Sequence, residues 1–162
     1  MSEIVLVVAI AQNGVIGNNG LIPWRISDDM KRFKALTVGH TVVMGRKTWD
    51  SLPRKPLPGR KNVVCTRNVG WHAPGVVPAT LPDIDLSHIA PNEDLMVIGG
   101  AEIYRYFLPR ADRIELTEVH RDFEGDAKFE FDRTGWHETL REDHVTPDGL
   151  RYSYVTLERS AP

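Results

Sequence analysis

Four short, nearly continuous apolar runs constrain this chain most: Ile4 to Ala11, Thr41 to Met44, Asn62 to Thr66 and Leu95 to Ile98. Strands without polar alternation are covered on both faces. The helical stretches between them supply the covers, so the pattern predicts an α/β fold with a mixed, mostly parallel sheet. The helices expected are Asp28 to about Thr37, ending near Gly39, a short one from Lys47, and Ala101 to about Leu108. Gly75 to Val77 and Arg113 to Val119 read as further strands, and the proline-rich stretch from Pro53 to Lys61 as irregular. Between Ala79 and Asp94 the pattern gives at most one helix, after Pro82. Trp136 to His144 and Leu150 to Arg159 flank the turn sequence Thr146-Pro147-Asp148-Gly149, which makes them a C-terminal antiparallel hairpin. With no repeat, low-complexity tract or linker, the 162 residues are expected to form a single domain, 1–162.

A formal net charge of −2 argues against a general nucleic-acid or anionic-membrane binder. The lone cysteine, Cys65, ends an apolar run and reads as a buried, inert thiol; one cysteine excludes an intrachain disulfide or a thiolate metal cluster. His40, His72, His88, His120, His137 and His144 lack the spacing of a metal site, so no metal is expected. Ile4 to Ala11 is too short to span a bilayer and follows Ser2 and Glu3 rather than a basic region, so the expected address is cytoplasmic. No obvious apolar interface is legible, and monomer is the default.

The segment from Ile22 to Phe33 places an acid where acids are costly. With Ser27 as N-cap, helical spacing puts Asp29, Phe33 and Leu36 on one face, while Asp28 points elsewhere, within reach of Lys31 and Arg32. A carboxylate aligned with Phe33 and Leu36 is partly desolvated, which costs free energy unless a donor pairs with it. The helix N-terminus compensates in part, and no neighbouring cation lies on that face. Asp29 either decorates the first helical turn or awaits a ligand that brings hydrogen-bond donors. The Gly- and Asn-rich loop before it, from Gln12 to Arg25, is long enough to be a functional lid.

Three strand ends suit phosphate. Met44 runs into Gly45-Arg46-Lys47-Thr48, Thr66 into Arg67, and Ile98 into Gly99-Gly100 before a helix. In an open α/β sheet all three face a crevice beyond the carboxyl ends of the strands. Each alone is a tight turn or a solvated helix start; together they favour a phosphorylated cofactor. Neither the dinucleotide fingerprint nor a Walker loop is present. The stretch Arg54 to Lys61 carries four cations and reads equally as a soluble loop, a small nucleic-acid patch, or a bidentate carboxylate clamp beside Leu57. Tyr104 stands one helical turn after Gly100, where it reaches the crevice or fills the core.

Taken in order, these motifs resemble the dihydrofolate reductase family. The matching stretches are Val15-Ile16-Gly17, Ile22-Pro23-Trp24, the Asp29 to Phe33 helix and Val43 to Trp49. They continue with Pro56 to Asn62, Val97 to Tyr104 and Glu124-Gly125-Asp126, so the likeness spans essentially the whole chain. The resemblance implies a sheet of about eight strands with flanking helices. It implies reduction of 7,8-dihydrofolate to tetrahydrofolate by NADPH, in support of one-carbon metabolism, and inhibition by antifolates.

In that resemblance Asp29 pairs with the pteridine's ring N–H and amine, supported by Thr117. Ile22, Trp24 and Tyr104 complete the catalytic set. The substrate is implied to contact Val7, Val8, Met30, Phe33, Leu52, Leu57 and Ile98, with Arg60 holding the glutamyl α-carboxylate. The family's cofactor contacts fall on Ala9, Ile16, Asn18, Gly20, Leu21, Gly45, Arg46, Lys47, Thr48, Thr66, Arg67, Ile98, Gly99, Gly100, Ala101, Glu102, Ile103 and Tyr104. Arg46, Lys47 and Arg67 suit the 2′-phosphate and pyrophosphate of NADPH. The Gly99–Gly100 peptide is implied to be cis.

The chain departs from the family pattern in three places. Ala127 replaces a frequent hydroxyl residue, Phe129-Glu130-Phe131 lacks a frequent proline, and one residue is added around Pro53 to Lys55. Two rivals remain. A reductase for another nitrogen heterocycle would need neither the Asp29 acid nor the Arg60 clamp, and a nucleotide-binding module would keep only the cations.

Overall fold

The computed structural model describes residues 3–80 and 92–160. The helix expected after Pro82 lies outside the described residues. In chain order the elements are β1 (Ile4–Ala11), β2 (Val15–Gly17), α1 (Ser27–Thr37), β3 (Thr41–Gly45), α2 (Arg46–Ser51), β4 (Lys61–Thr66) and β5 (Val76–Thr80). They continue with β6 (Leu95–Val97), α3 (Ala101–Phe107) and its 3-10 extension Leu108–Arg110, β7 (Arg113–Val119), β8 (Ala127–Lys128), β9 (Trp136–Val145) and β10 (Arg151–Arg159).

Eight strands form one sheet in the order β5-β4-β3-β6-β1-β7-β10-β9. The six from β5 to β7 run parallel, and β10 pairs antiparallel with both β7 and β9. The chain leaves β1 toward β3 on one side, returns through β6 and crosses to β7 on the other, which opens a crevice at the strand carboxyl ends.

β1 is central, and its pleat explains its composition. Val5 and Val7 meet Val42, Met44, Trp49, Val64 and Met96, with Phe33 and Leu36 of α1 packed over them. Leu6 and Val8 turn the other way, onto Ile103, Tyr104 and Phe107 of α3. Every side chain from Val5 to Val8 is thus buried, and a polar residue at any of them would lie between two apolar layers.

Three expectations are corrected. Ser27 is not the N-cap: α1 begins at Ser27, Ile26 caps it in extended conformation, and no side chain caps the helix. Ile26 is 3% exposed, so burial of that side chain fixes the helix entry, and Asp28 and Asp29 supply first-turn negative charge. The stretch from Gln12 to Arg25 is not wholly loop, because β2 pairs antiparallel with β8 in a second sheet. Gly125 permits this, since a Cβ there would lie 2.3 Å from Val15 Cγ1 and 2.5 Å from the Gly17 carbonyl oxygen. The strand expected from Gly75 to Val77 is β5, which runs on to Thr80 and contains Pro78, tolerated at the sheet edge.

Candidate active site

α1 carries Asp29 on its first turn, half-buried against the sheet. Thr117 lies beneath it on β7 and donates its hydroxyl to Asp29 Oδ1 at 2.6 Å. Burial pushes the Asp29 carboxyl above its ordinary 3.8, opposed first by the Thr117 hydrogen bond and then by attraction to Arg32. No guanidinium among the described residues hydrogen-bonds the carboxylate. Arg32, expected beside Asp28, instead reaches Glu115 at 2.9 Å, and its guanidinium carbon lies 4.4 Å from the Tyr154 ring centroid. The expectation of no cation near Asp29 is therefore corrected: one helical turn brings Arg32 close enough to attract it without pairing.

Apolar side chains surround the acid. Ile22 and Met30 are exposed large hydrophobics. Phe33, Leu52, Leu57 and Ile98 are half-buried and pack on the β1 face that presents Val7. Val8 falls on the opposite face. Trp24 is anchored rather than open, with its ring centroid 5.2 Å from that of Phe123.

Arg60 sits at the far end of α1. Its Nη1 donates to Thr37 Oγ1 at 3.0 Å and its Nε to the Pro58 carbonyl at 2.9 Å, which aims the guanidinium along the helix C-terminus. The loop that presents it is braced by Asn62, a residue sequence reasoning missed as a site support. The Leu57 amide donates to Asn62 Oδ1 at 2.9 Å, while Asn62 Nδ2 donates to the Leu57 and Arg60 carbonyls at 3.0 and 2.9 Å. A buried amide in an apolar strand was the available signal.

The three strand ends do converge. Gly45 donates its amide to the Gly99 carbonyl at 2.8 Å, which ties β3 to the cis Gly99–Gly100 peptide. Gly99 adopts φ +118°, and a Cβ there would lie 3.2 Å from the Tyr104 hydroxyl oxygen. Tyr104 itself is buried, and its hydroxyl donates to the Val7 carbonyl at 2.7 Å. Burial and the nearby Asp29 charge both raise its pKa, so it keeps its proton. Gly100, Ala101, Glu102 and Ile103 form the start of α3, and Thr48 Oγ1 lies 3.7 Å from where a Gly100 Cβ would sit.

The cations there are Arg46, Lys47 and Arg67, all exposed. Arg46 lies over Trp71, 5.3 Å from the ring centroid, and Arg67 pairs with Glu102. Thr66 accepts from the Asn68 amide at 3.1 Å, shaping the turn that carries Arg67. Exposed cations, hydroxyls and side-chain-free backbone at strand ends form a donor set that fits a dinucleotide bearing an extra phosphate.

Residues of the stretch expected to be a lid are tied to a segment distant in sequence. Asn18 and Leu21 exchange backbone hydrogen bonds at 2.7 and 3.0 Å. The Asn19 amide donates to Asp126 at 3.2 Å, and Asn13 donates to the Phe123 carbonyl at 2.8 Å. Ala9 and Ile16 are half-buried, while Gly20 and Leu21 are exposed. An open depression of about 540 Å³ lies on the opposite sheet face, between Ile10, Leu116, Phe129 and Arg133. Gln12 and Gly14 line it, but Asp29, Arg46, Lys47, Arg60 and Arg67 do not, so it lacks the chemistry gathered around Asp29. Cys65 is 2% exposed and its thiol is pushed up to about 12 by burial, which leaves it unreactive.

Comparison with known proteins supplies an independent line. The dihydrofolate reductase family profile matches residues 3–159. A dihydrofolate reductase type 3 from Salmonella typhimurium is 44% identical over 157 residues, spanning 95% of this chain and 96% of its own. A dihydrofolate reductase from Neisseria meningitidis serogroup B is also 44% identical over 157 residues, spanning 96% and 97%. A solved dihydrofolate reductase from Enterococcus faecalis, complexed with NADP(H) and RAB-propyl, superposes with a TM-score of 0.90 at 29% identity, over 98% of this chain and 97% of that one.

Proposed function

Because this chain belongs to the dihydrofolate reductase family, we propose that Asp29 is the group that orients and polarises the pteridine during its reduction. The enzyme reduces 7,8-dihydrofolate to tetrahydrofolate with NADPH and binds antifolates. The observation that carries the role of Asp29 is its isolation. It is a half-buried acid among Phe33, Leu57 and Ile98, it accepts one hydroxyl, and no guanidinium neutralises it. A heterocycle with an adjacent ring N–H and amine supplies the missing donors.

Gly45, Arg46, Lys47, Thr48, Thr66, Arg67, Gly99, Gly100 and Tyr104 would hold NADPH, which would supply the hydride for pteridine C6. Asp29 fixes the ring and favours positive character on it, so that N5 takes a proton from solvent. Tyr104 is not that proton's source, because its hydroxyl is committed to Val7. Phe33 and Leu52 flank the ring, and Arg60 holds the glutamyl carboxylate. The stretch from Gln12 to Arg25, carrying Ile22 and Trp24, closes over the rings and excludes bulk water.

The proposal extends to a single-domain, cytoplasmic monomer acting on small molecules rather than nucleic acid, in keeping with a net charge of −2. The deciding assay follows nicotinamide oxidation with NADPH plus dihydrofolate, against NADH and against a flavin precursor. Preference for the flavin precursor would overturn the reading.

A further inference from the structure

We propose that Arg32 is a positioning residue for Asp29, its charge held one helical turn away from the acid by Glu115 and the Tyr154 ring. The inference rests on the role given to Asp29 above.

Arg32 is fixed on two sides. Nη2 meets Glu115 Oε2 at 2.9 Å, and the guanidinium carbon lies 4.4 Å from the Tyr154 centroid. Glu115 is 7% exposed and is itself held, since Thr156 Oγ1 donates to it at 2.9 Å and Arg113 Nε lies 3.3 Å away. Tyr154 stands in register with Thr117, the residue that donates to Asp29, so the stack and the acid share adjacent strands beneath α1. The Tyr154 hydroxyl is buried and adjoins Tyr152, while its ring is the part that meets the Arg32 guanidinium.

This arrangement keeps a cation near Asp29 without letting it fill the acid's ligand-binding positions. A direct Asp29–Arg32 pair would neutralise the carboxylate and block the heterocycle. Glu115 competes for the guanidinium and prevents that, while Arg32 still attracts Asp29 and opposes the upward push of burial. Other groups share this field. They are Asp28 on α1, Glu115 and Thr117 on β7, Tyr152 and Tyr154 on β10, and Tyr104 on α3. His144 on β9 stacks behind Tyr152 and Tyr154 at 5.4 and 4.9 Å and pairs with Glu142 at 3.4 Å.

The test reads Asp29 twice: by the carboxyl-carbon NMR titration of the ligand-free protein, and by the pH at which dihydrofolate turnover falls. Arg32→Met removes a positive charge, so it raises the proton affinity of Asp29 roughly threefold or more and moves both midpoints to higher pH. Glu115→Gln keeps the side-chain shape and one accepting oxygen but removes the opposing charge, so both midpoints move to lower pH. Arg32→Lys restores the original profile in part. Tyr154→Phe keeps the ring, His144→Asn removes the imidazole behind it, and both leave the midpoints in place. Opposite movements are the signature, because a purely structural role shifts stability without that sign reversal. The inference is overturned by a folded Arg32→Met protein with unmoved midpoints, or by Glu115→Gln moving the same way as Arg32→Met. An equal shift in Tyr154→Phe or His144→Asn also overturns it. If Arg32→Met does not fold, the Glu115→Gln arm decides. Absence of dihydrofolate turnover in the unaltered protein would instead sink the reading of the site, and the NMR arm would remain.

Discussion

Thr117→Val removes a single hydroxyl from beneath Asp29 while keeping the branched shape that fills the site. Thr117 is 2% exposed and its hydrogen bond to Asp29 measures 2.6 Å, so neither solvent nor a second geometry replaces it. A hydrogen bond to a charged group contributes about 1.5–3 kcal/mol, and a neutral one about 1 kcal/mol. The loss therefore depends on pH. Burial holds the folded pKa of Asp29 above its ordinary 3.8, so ionised Asp29 already opposes folding at neutral pH, and the deficit fades as pH falls through the folded pKa toward 3.8. Removing the hydroxyl raises the folded pKa further and enlarges that neutral-pH penalty. Urea unfolding is expected to show the variant less stable by about 2 kcal/mol at neutral pH, and by about 1 kcal/mol once Asp29 is protonated. With the acid less firmly aimed, kcat/KM for dihydrofolate should fall roughly tenfold to a hundredfold, with NADPH affinity unchanged. A stability deficit independent of pH, or turnover equal to the parent protein, would refute the reasoning.

Three further outcomes follow from the same geometry. Asp29→Asn should keep NADPH binding, lose most turnover at neutral pH and recover in part in acid, where substrate arrives protonated; full neutral-pH activity would contradict the role. Stopped-flow and steady-state rates across pH check it. Arg60→Gln should weaken dihydrofolate roughly tenfold to a hundredfold, the equivalent of one charge-assisted contact, yet leave a pteridine without the glutamyl group nearly unaffected, as measured by fluorescence titration. Gly125→Ala should force β2 from β8, costing about 1–3 kcal/mol in thermal unfolding and slowing turnover through the proposed lid, whereas the same change at exposed Gly70, where a Cβ would meet nothing nearer than 3.9 Å, should leave turnover intact.

Much of the architecture was legible because burial on two faces leaves a blunt trace. Val5 to Val8 admits no polar residue, and that alone placed β1 at the centre. The lid strand was invisible because Val15 finds its partner at Lys128, and no local pattern reports a pairing so distant in sequence. Ser27 has the chemistry of a cap, but the burial of Ile26 decided where the helix starts. At the site, Asp29 was exposed by its helical face, since a carboxylate aligned with Phe33 is conspicuous. Arg32 was not, because its direction is set by Glu115 and Tyr154, on strands the sequence cannot juxtapose with α1. Tyr104 satisfied both readings given for it: its ring is core, and its hydroxyl ties the strand that floors the cleft.

Helix α1 bears Asp29 on its opening turn and, at Thr37, the hydroxyl against which Arg60 is braced. Eight residues at 1.5 Å rise separate those two fixtures by about 12 Å. On the roles proposed for Asp29 and Arg60 the helix is a calliper: one jaw would grip a heterocycle, the other a carboxylate, and the rigid shank between them would measure the spacer of any molecule that satisfies both. Ligands of the wrong length would release one jaw, and a single residue inserted into α1 would both lengthen the shank and swing one jaw about 100° around the helix axis.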